Sequence, residues 1–164
     1  MLQADGELLT TALSLPPTPN LRAAAADGRP LRVLLYTFGT RGDVQPYVAL
    51  ARALTDRGHS AAICTAEGFQ DLVESADVHY LRMNNDMLQL VQDAMPQMSG
   101  PRDTYKIFRA MGPAQRSALH DRWTAAQLHE PSIVVFHPKA LGAYHIAEKL
   151  AVPAVLSLPL PFFS

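Results

Sequence analysis

The stretch Phe38-Gly39-Thr40-Arg41-Gly42-Asp43-Val44-Gln45-Pro46 gathers two glycines, a hydroxyl, a fixed cation and a carboxylate into nine residues. It follows an apolar run and precedes an amphipathic one, so it joins a buried strand to a helix N-terminus. Backbone N–H groups at such a junction are unpaired, and the helix dipole favours negative charge. The glycines let the backbone approach a ligand closely. Thr40 and Arg41 add a hydroxyl and a cation. The chemistry this suits is the holding of a phosphate or the positioning of a reacting hydroxyl. Asp43 has two readings from local sequence, an N-cap for the helix that follows and a carboxylate that moves a proton. The spacing is wrong for a dinucleotide fingerprint, which needs a third glycine, and for a P-loop, which needs a lysine after Gly42. Arg41-Gly42-Asp43 also spells an adhesion tripeptide, which is short enough to arise by chance.

The elements that must position this loop alternate. Leu31 to Thr37 is a nearly continuous apolar run, the pattern of a strand buried on both faces. A helix follows, with Pro46 expected in its first turn. Tyr47, Leu50, Ala51 and Leu54 share one of its faces, and Arg57 and Gly58 stop it. Further strands are expected at Ala61–Thr65, Val78–Leu81, Ile133–Phe136 and Ala154–Leu158. Helices are expected at Phe69–Ala76, Asp86–Met98, Thr104–Met111, Pro113–His129 and Leu141–Leu150, with a break at Gly112-Pro113. Strands alternating with helices imply crossover connections and a parallel sheet. The expected fold is α/β, a Rossmann-like open parallel sheet with helices on both faces. Its ligands belong beyond the carboxyl ends of the strands. The segments to watch are therefore Phe38–Gln45, Ala66–Gly68, Met83–Asp86, His137–Gly142 and the residues from Pro159. His137 sits at a strand end, where it faces the cleft or supports the structure.

The chain has 164 residues, enough for one domain with a short tail. Fourteen basic residues against fifteen acidic ones leave a net charge of -1, which argues against nucleic acid as a partner. One cysteine, Cys64, excludes an internal disulfide and fits a cytoplasmic setting. No apolar run reads as a transmembrane span, so membrane contact is expected to be peripheral at most. The six histidines show no spacing typical of a metal site. Residues 1–29 hold Pro16, Pro17 and Pro19 and the Ala23–Ala26 run, and read as a flexible leader. Met83, Met87, Met95, Met98 and Met111 lie in the middle segment with Leu88, Leu90 and Phe108. They suit either a core or an adaptable apolar pocket.

Gly39-Thr40-Arg41-Gly42-Asp43-Val44-Gln45-Pro46, with Ala49, Leu50, Ala51 and Leu54 after it, resembles the start of the GT-B glycosyltransferases. The nearest groups are the sterol glucosyltransferases and the bacterial glycopeptide-type enzymes of glycosyltransferase family 28. Gly58-His59, Phe69 and Val73 continue the likeness. Pro138-Lys139-Ala140-Leu141-Gly142 and Ile146–Pro153 match a second stretch. The resemblance covers roughly residues 31–161. It implies the N-terminal, acceptor-binding half of an inverting transferase that moves a hexose from a nucleotide sugar to a hydroxyl of a sterol, lipid or other apolar acceptor. Asp43 falls where the family places its general base, and plant relatives often have a histidine there. Gly39, Thr40, Arg41, Gly42 and His137 become candidates for substrate binding. UDP-glucose is the implied donor substrate, with no metal or other cofactor. Residues 30–164 would form an acceptor domain incomplete at its C-terminal end, without the donor-binding domain. The expectation is little activity from the chain alone, with a donor-domain protein as its partner. The competing expectation is a non-catalytic lipid-, sterol- or partner-binding module derived from such an enzyme.

Overall fold

The computed structural model describes residues 28–94 and 101–159. Residues 1–27 of the expected leader, Met95 to Met98 and the segment from Leu160 lie outside them. Five strands form one parallel sheet: β1 (Arg32–Tyr36), β2 (Ser60–Ala66), β3 (His79–Met83), β4 (Ile133–Phe136) and β5 (Ala154–Leu156). Their spatial order is β3-β2-β1-β4-β5. The helices are α1 (Arg41–Thr55), α2 (Gln70–Glu74), α3 (Asp86–Ala94), α4 (Pro101–His129) and α5 (Gly142–Leu150). The expected α/β class and open parallel sheet are what the chain forms.

Alternation along the strands builds two cores, one on each face. Val33, Leu35, Ala61, Ile63, Ile133 and Val135 pack with Val44, Tyr47, Val48 and Ala51 of α1 and Val73 of α2. Leu34, Tyr36, Ala62, Cys64, Val134 and Phe136 face the other way, against small residues of α4 and α5. Ala118, Ala125 and Ala126 of α4 and Ala143 and Ala147 of α5 let those helices approach the sheet closely. Cys64 belongs to this second core, where burial pushes its thiol up to about 12. Iodoacetamide at neutral pH is therefore expected to leave Cys64 unmodified in the native chain and to label it after urea unfolding. Mass spectrometry of the two samples reads this directly. Labelling of the native chain at the unfolded rate would contradict the assignment.

Two helices differ from the sequence expectation. No break occurs at Gly112-Pro113, because α4 runs unbroken through Pro113. The proline removes one backbone donor. Burial of Ala114, Ala118, Ala125 and Ala126 along one side outweighs that loss. Helix α1 begins at Arg41, so Pro46 is its sixth residue rather than part of its first turn. Thr40 is the N-cap, and Asp43 lies inside the first turn at the third helical position. The remaining shifts are at element ends, where β3 extends to Met83 and β5 stops at Leu156.

Candidate functional site

The order β3-β2-β1-β4-β5 reverses direction between β1 and β4. A crevice opens at such a switch point, beyond the carboxyl ends of the two strands. The first turn of α1, just after β1, carries Asp43, and the segment after β4 carries His137 and Lys139. The topology thus brings together side chains 96 residues apart in sequence.

Asp43 is held from every side. Thr37, just past β1, donates its hydroxyl to the Asp43 carbonyl at 2.8 Å. The Thr40 backbone N–H donates to Asp43 Oδ2 at 2.7 Å, which is the carboxylate half of a capping box. The Thr40 hydroxyl donates to the same oxygen at 3.0 Å. Lys139 Nζ lies 2.9 Å from both carboxylate oxygens. His137 Nε2 lies 3.3 Å from Oδ1. Only 14% of the Asp43 side chain is exposed, against 52% for Lys139. Burial alone would push the carboxyl up, but the hydrogen bonds from Lys139 and Thr40 and the Lys139 charge outweigh it and hold it below the usual aspartate value.

The backbone also explains Gly39. Its φ is +137°, and a Cβ there would lie 2.7 Å from Asp43 Cγ and 3.0 Å from Lys139 Nζ. Gly39 leaves the space that the carboxylate fills. Gly42 is different, because an added Cβ would meet only Thr40 Oγ1 at 3.7 Å. Arg41 is exposed at the first position of α1, a cation set against the positive end of the helix dipole.

His137 is buried, and its neighbours fix its tautomer. The Lys139 backbone N–H donates to Nδ1 at 3.0 Å, so that nitrogen carries a lone pair and Nε2 carries the proton. That proton faces Asp43 Oδ1. Burial pulls the imidazole below the usual histidine value, the Asp43 charge opposes this and the Lys139 charge adds to it. His137 is therefore neutral at pH 7 with neither nitrogen free to accept a proton. The Tyr47 ring meets it edge-on, with centroids 5.9 Å apart, and the Tyr47 hydroxyl donates to the Ser157 carbonyl beyond β5 at 2.8 Å. The loops after three strands are thereby tied together.

Lys139 is the residue that sequence reasoning passed over as a site member. Its loop was singled out, but its pairing with Asp43 depends on β4 lying beside β1. Among the candidates, Gly39, Thr40, Asp43 and His137 converge, while Gly42 and Arg41 flank the group from α1. Of the apolar middle segment, Met83 is fully buried in the core. The Met95 and Met98 expectation lies outside the described residues. Among the described residues no group of three His, Cys, Asp or Glu side chains could hold a metal ion. No described helix is long and apolar enough to cross a membrane.

Comparison with known proteins bears on this geometry. The model of the glycosyltransferase family 28 N-terminal domain matches residues 33–164, which takes in all of the sheet but Arg32 and includes both site segments. The chain belongs to the glycosyltransferase family 28 N-terminal domain family. It is 31% identical over 137 residues to a sterol 3-beta-glucosyltransferase of Sclerotinia sclerotiorum, covering 81% of this chain and 9% of that protein. A sterol 3-beta-glucosyltransferase of Saccharomyces cerevisiae is 27% identical over 162 residues, covering 96% of this chain and 13% of the relative. The family 28 domain thus spans about a tenth of these relatives' length. Its fold is that of GT-B glycosyltransferases. The calicheamicin glycosyltransferase CalG4 superposes with a TM-score of 0.63 at 20% identity, over 78% of this chain and 32% of that one. SnogD from Streptomyces nogalater gives 0.60 at 21% identity, over 79% and 34%.

Proposed function

We propose that this domain is the acceptor-binding half of an inverting glycosyltransferase with Asp43 as general base. The observation that supports this reading best is the Asp43 carboxylate at the switch-point crevice, anchored by Thr40 and flanked by a neutral His137. In the reaction, the acceptor hydroxyl oxygen bonds to the anomeric carbon of a hexose. The bond from that carbon to the nucleoside diphosphate breaks, and the hydroxyl proton passes to Asp43. UDP-glucose is the proposed donor, and a sterol, lipid or other apolar alcohol the acceptor. His137 does not compete for the proton, since Nδ1 is occupied and Nε2 already carries one. Its role is to orient the carboxylate. Sterol-glucosylating relatives support the apolar acceptor.

The carboxylate is saturated as it stands. Oδ1 meets Lys139 and His137, and Oδ2 meets Lys139 and two Thr40 donors. An incoming hydroxyl must replace one of them. Lys139 is the half-exposed member on a flexible stem, so it is the one displaced. Its departure raises the basicity of Asp43 at the moment the substrate needs it. Removing Lys139 gives a directional test. In Lys139→Met the Asp43 carboxyl loses the partner that holds it down. The acidic limb of the kcat/KM profile, which follows protonation of the base in the free enzyme, should move to higher pH. An unmoved limb would rule out Lys139 as the partner that tunes Asp43.

The function itself is tested by incubating the chain together with a donor-binding domain, UDP-glucose and a panel of sterols and long-chain alcohols. The expected product is a glycoside inverted at the anomeric carbon by NMR, lost in Asp43→Asn. Equal turnover in that variant would remove Asp43 from the mechanism.

A further inference from the structure

Beside the Asp43 crevice lies a cavity of about 420 Å³ between α4 and the start of α5. Phe38, Leu119 and Leu141 give it apolar walls, while Arg116, Arg122 and Lys139 bring three cations to it. Among the described lining residues there is no carboxylate. Arg122 is the unusual member. It is only 8% exposed, yet its guanidinium makes no hydrogen bond or ion pair with a described residue. Its backbone is fixed, because the Tyr36 hydroxyl donates to the Arg122 carbonyl at 2.7 Å. The adjacent Asp121 accepts from the Asn84 backbone and side-chain amides at 2.8 Å, and its charge is one of those that favour the Arg122 cation.

The guanidinium also sits against a second positive end. A Cβ on Gly142, the first residue of α5, would lie 3.7 Å from Arg122 Nη1 and 3.2 Å from Leu119 Cδ1. The N-cap of this helix, Leu141, makes no side-chain cap bond. A buried cation beside a helix N-terminus is unfavourable unless an anion completes the pair. Arginine presents a planar fork suited to a carboxylate or phosphate.

We propose that this cavity is the head-group end of the acceptor site, where Arg122, Arg116 and the N-terminus of α5 bind the carboxylate or phosphate of an amphiphilic acceptor. The inference rests on the reading of Asp43 as the base for an acceptor hydroxyl. It extends that reading to acceptors that carry an oxyanion beside the reacting hydroxyl. Lys139 connects the two places, since it lines the cavity and contacts Asp43.

Isothermal titration of the full chain with dodecyl phosphate and with dodecanol tests the subsite without relying on turnover. Dodecyl phosphate should bind about tenfold tighter or more, as expected for a charge-assisted contact to a buried guanidinium. Arg122→Gln should bring it to the dodecanol level. Arg116→Gln, at an exposed position, should fold normally and reduce the preference in part. Should Arg122→Gln fail to fold, the wild-type NMR signals decide. Dodecyl phosphate must shift the Arg122 Nε–H and Gly142 amide resonances. Equal affinity for phosphate and alcohol, or unmoved Arg122 and Gly142 signals at saturation, overturns the proposal. Inorganic phosphate binding as tightly as dodecyl phosphate would make this a free-anion site and overturn the acceptor assignment. Displacement of dodecyl phosphate by UDP through the same two signals would assign the site to the donor and overturn it as well. Retained dodecyl phosphate binding, with turnover unchanged in Asp43→Asn once a donor-binding domain is supplied, would leave the subsite standing and remove the catalytic reading alone.

Discussion

Asp43→Asn lowers kcat for glycosyl transfer by about 10²–10⁴-fold, the range associated with a general base, with KM nearly unchanged. The amide keeps the size of the side chain, and its oxygen still accepts the Thr40 N–H that the carboxylate accepts at 2.7 Å. It cannot take the hydroxyl proton. A fall in kcat and kcat/KM together would locate the loss in the transition state rather than in acceptor binding. The variant also separates catalysis from stability through its pH dependence. Folding holds the Asp43 carboxyl below its usual value, so the folded state binds fewer protons than the unfolded chain as pH falls. Its contribution to stability is fully present above the unfolded aspartate value of about 3.9. It is lost as pH drops through the lower folded value. Asn has no such loss, so acid unfolding curves of the two proteins should converge toward low pH. A wild-type curve parallel to the variant over the whole acid range would mean that Lys139 and Thr40 do not hold Asp43 as described.

The strands were legible because burial on both faces writes itself as continuous apolar runs. Val33–Tyr36, Ala61–Ala66 and Ile133–Phe136 are almost wholly buried, and the sequence shows them plainly. The split at Gly112-Pro113 was misread because local propensity marks a break, whereas α4 lies on a sheet that no local window contains. The start of α1 was misread for a related reason. Pro46 looks like a first-turn residue, yet the Thr40–Asp43 capping contacts set the boundary five residues earlier. Asp43 could be singled out because its loop has a distinctive composition. Lys139 could not, because its pairing with Asp43 requires the strand order, and strand order is not encoded in periodicity. The same holds for Arg122, which in sequence is one charged residue on a long helix and in the fold is a buried cation lining a cavity.

Gly39→Ala should be almost as damaging as loss of Asp43 itself, and for a reason the sequence could not reveal. At φ +137° the added Cβ strains the backbone, a penalty of about 1–3 kcal/mol in stability. The Cβ would also lie 2.7 Å from Asp43 Cγ and 3.0 Å from Lys139 Nζ, so the Asp43 side chain has to give way. The carboxylate must leave its place between Thr40, His137 and Lys139, and kcat should fall by about 10²-fold or more. Gly42→Ala is the control. It lies three residues on, its added Cβ meets Thr40 Oγ1 at an ordinary 3.7 Å, and alanine suits a helix better than glycine. Its midpoint and turnover should stay close to those of the parent. Thermal unfolding and kcat measured on the pair separate the two glycines of one loop. If both alanine variants behave alike, the positive φ at Gly39 does not hold Asp43 in place, and the shape of the crevice must come from the β4 loop instead.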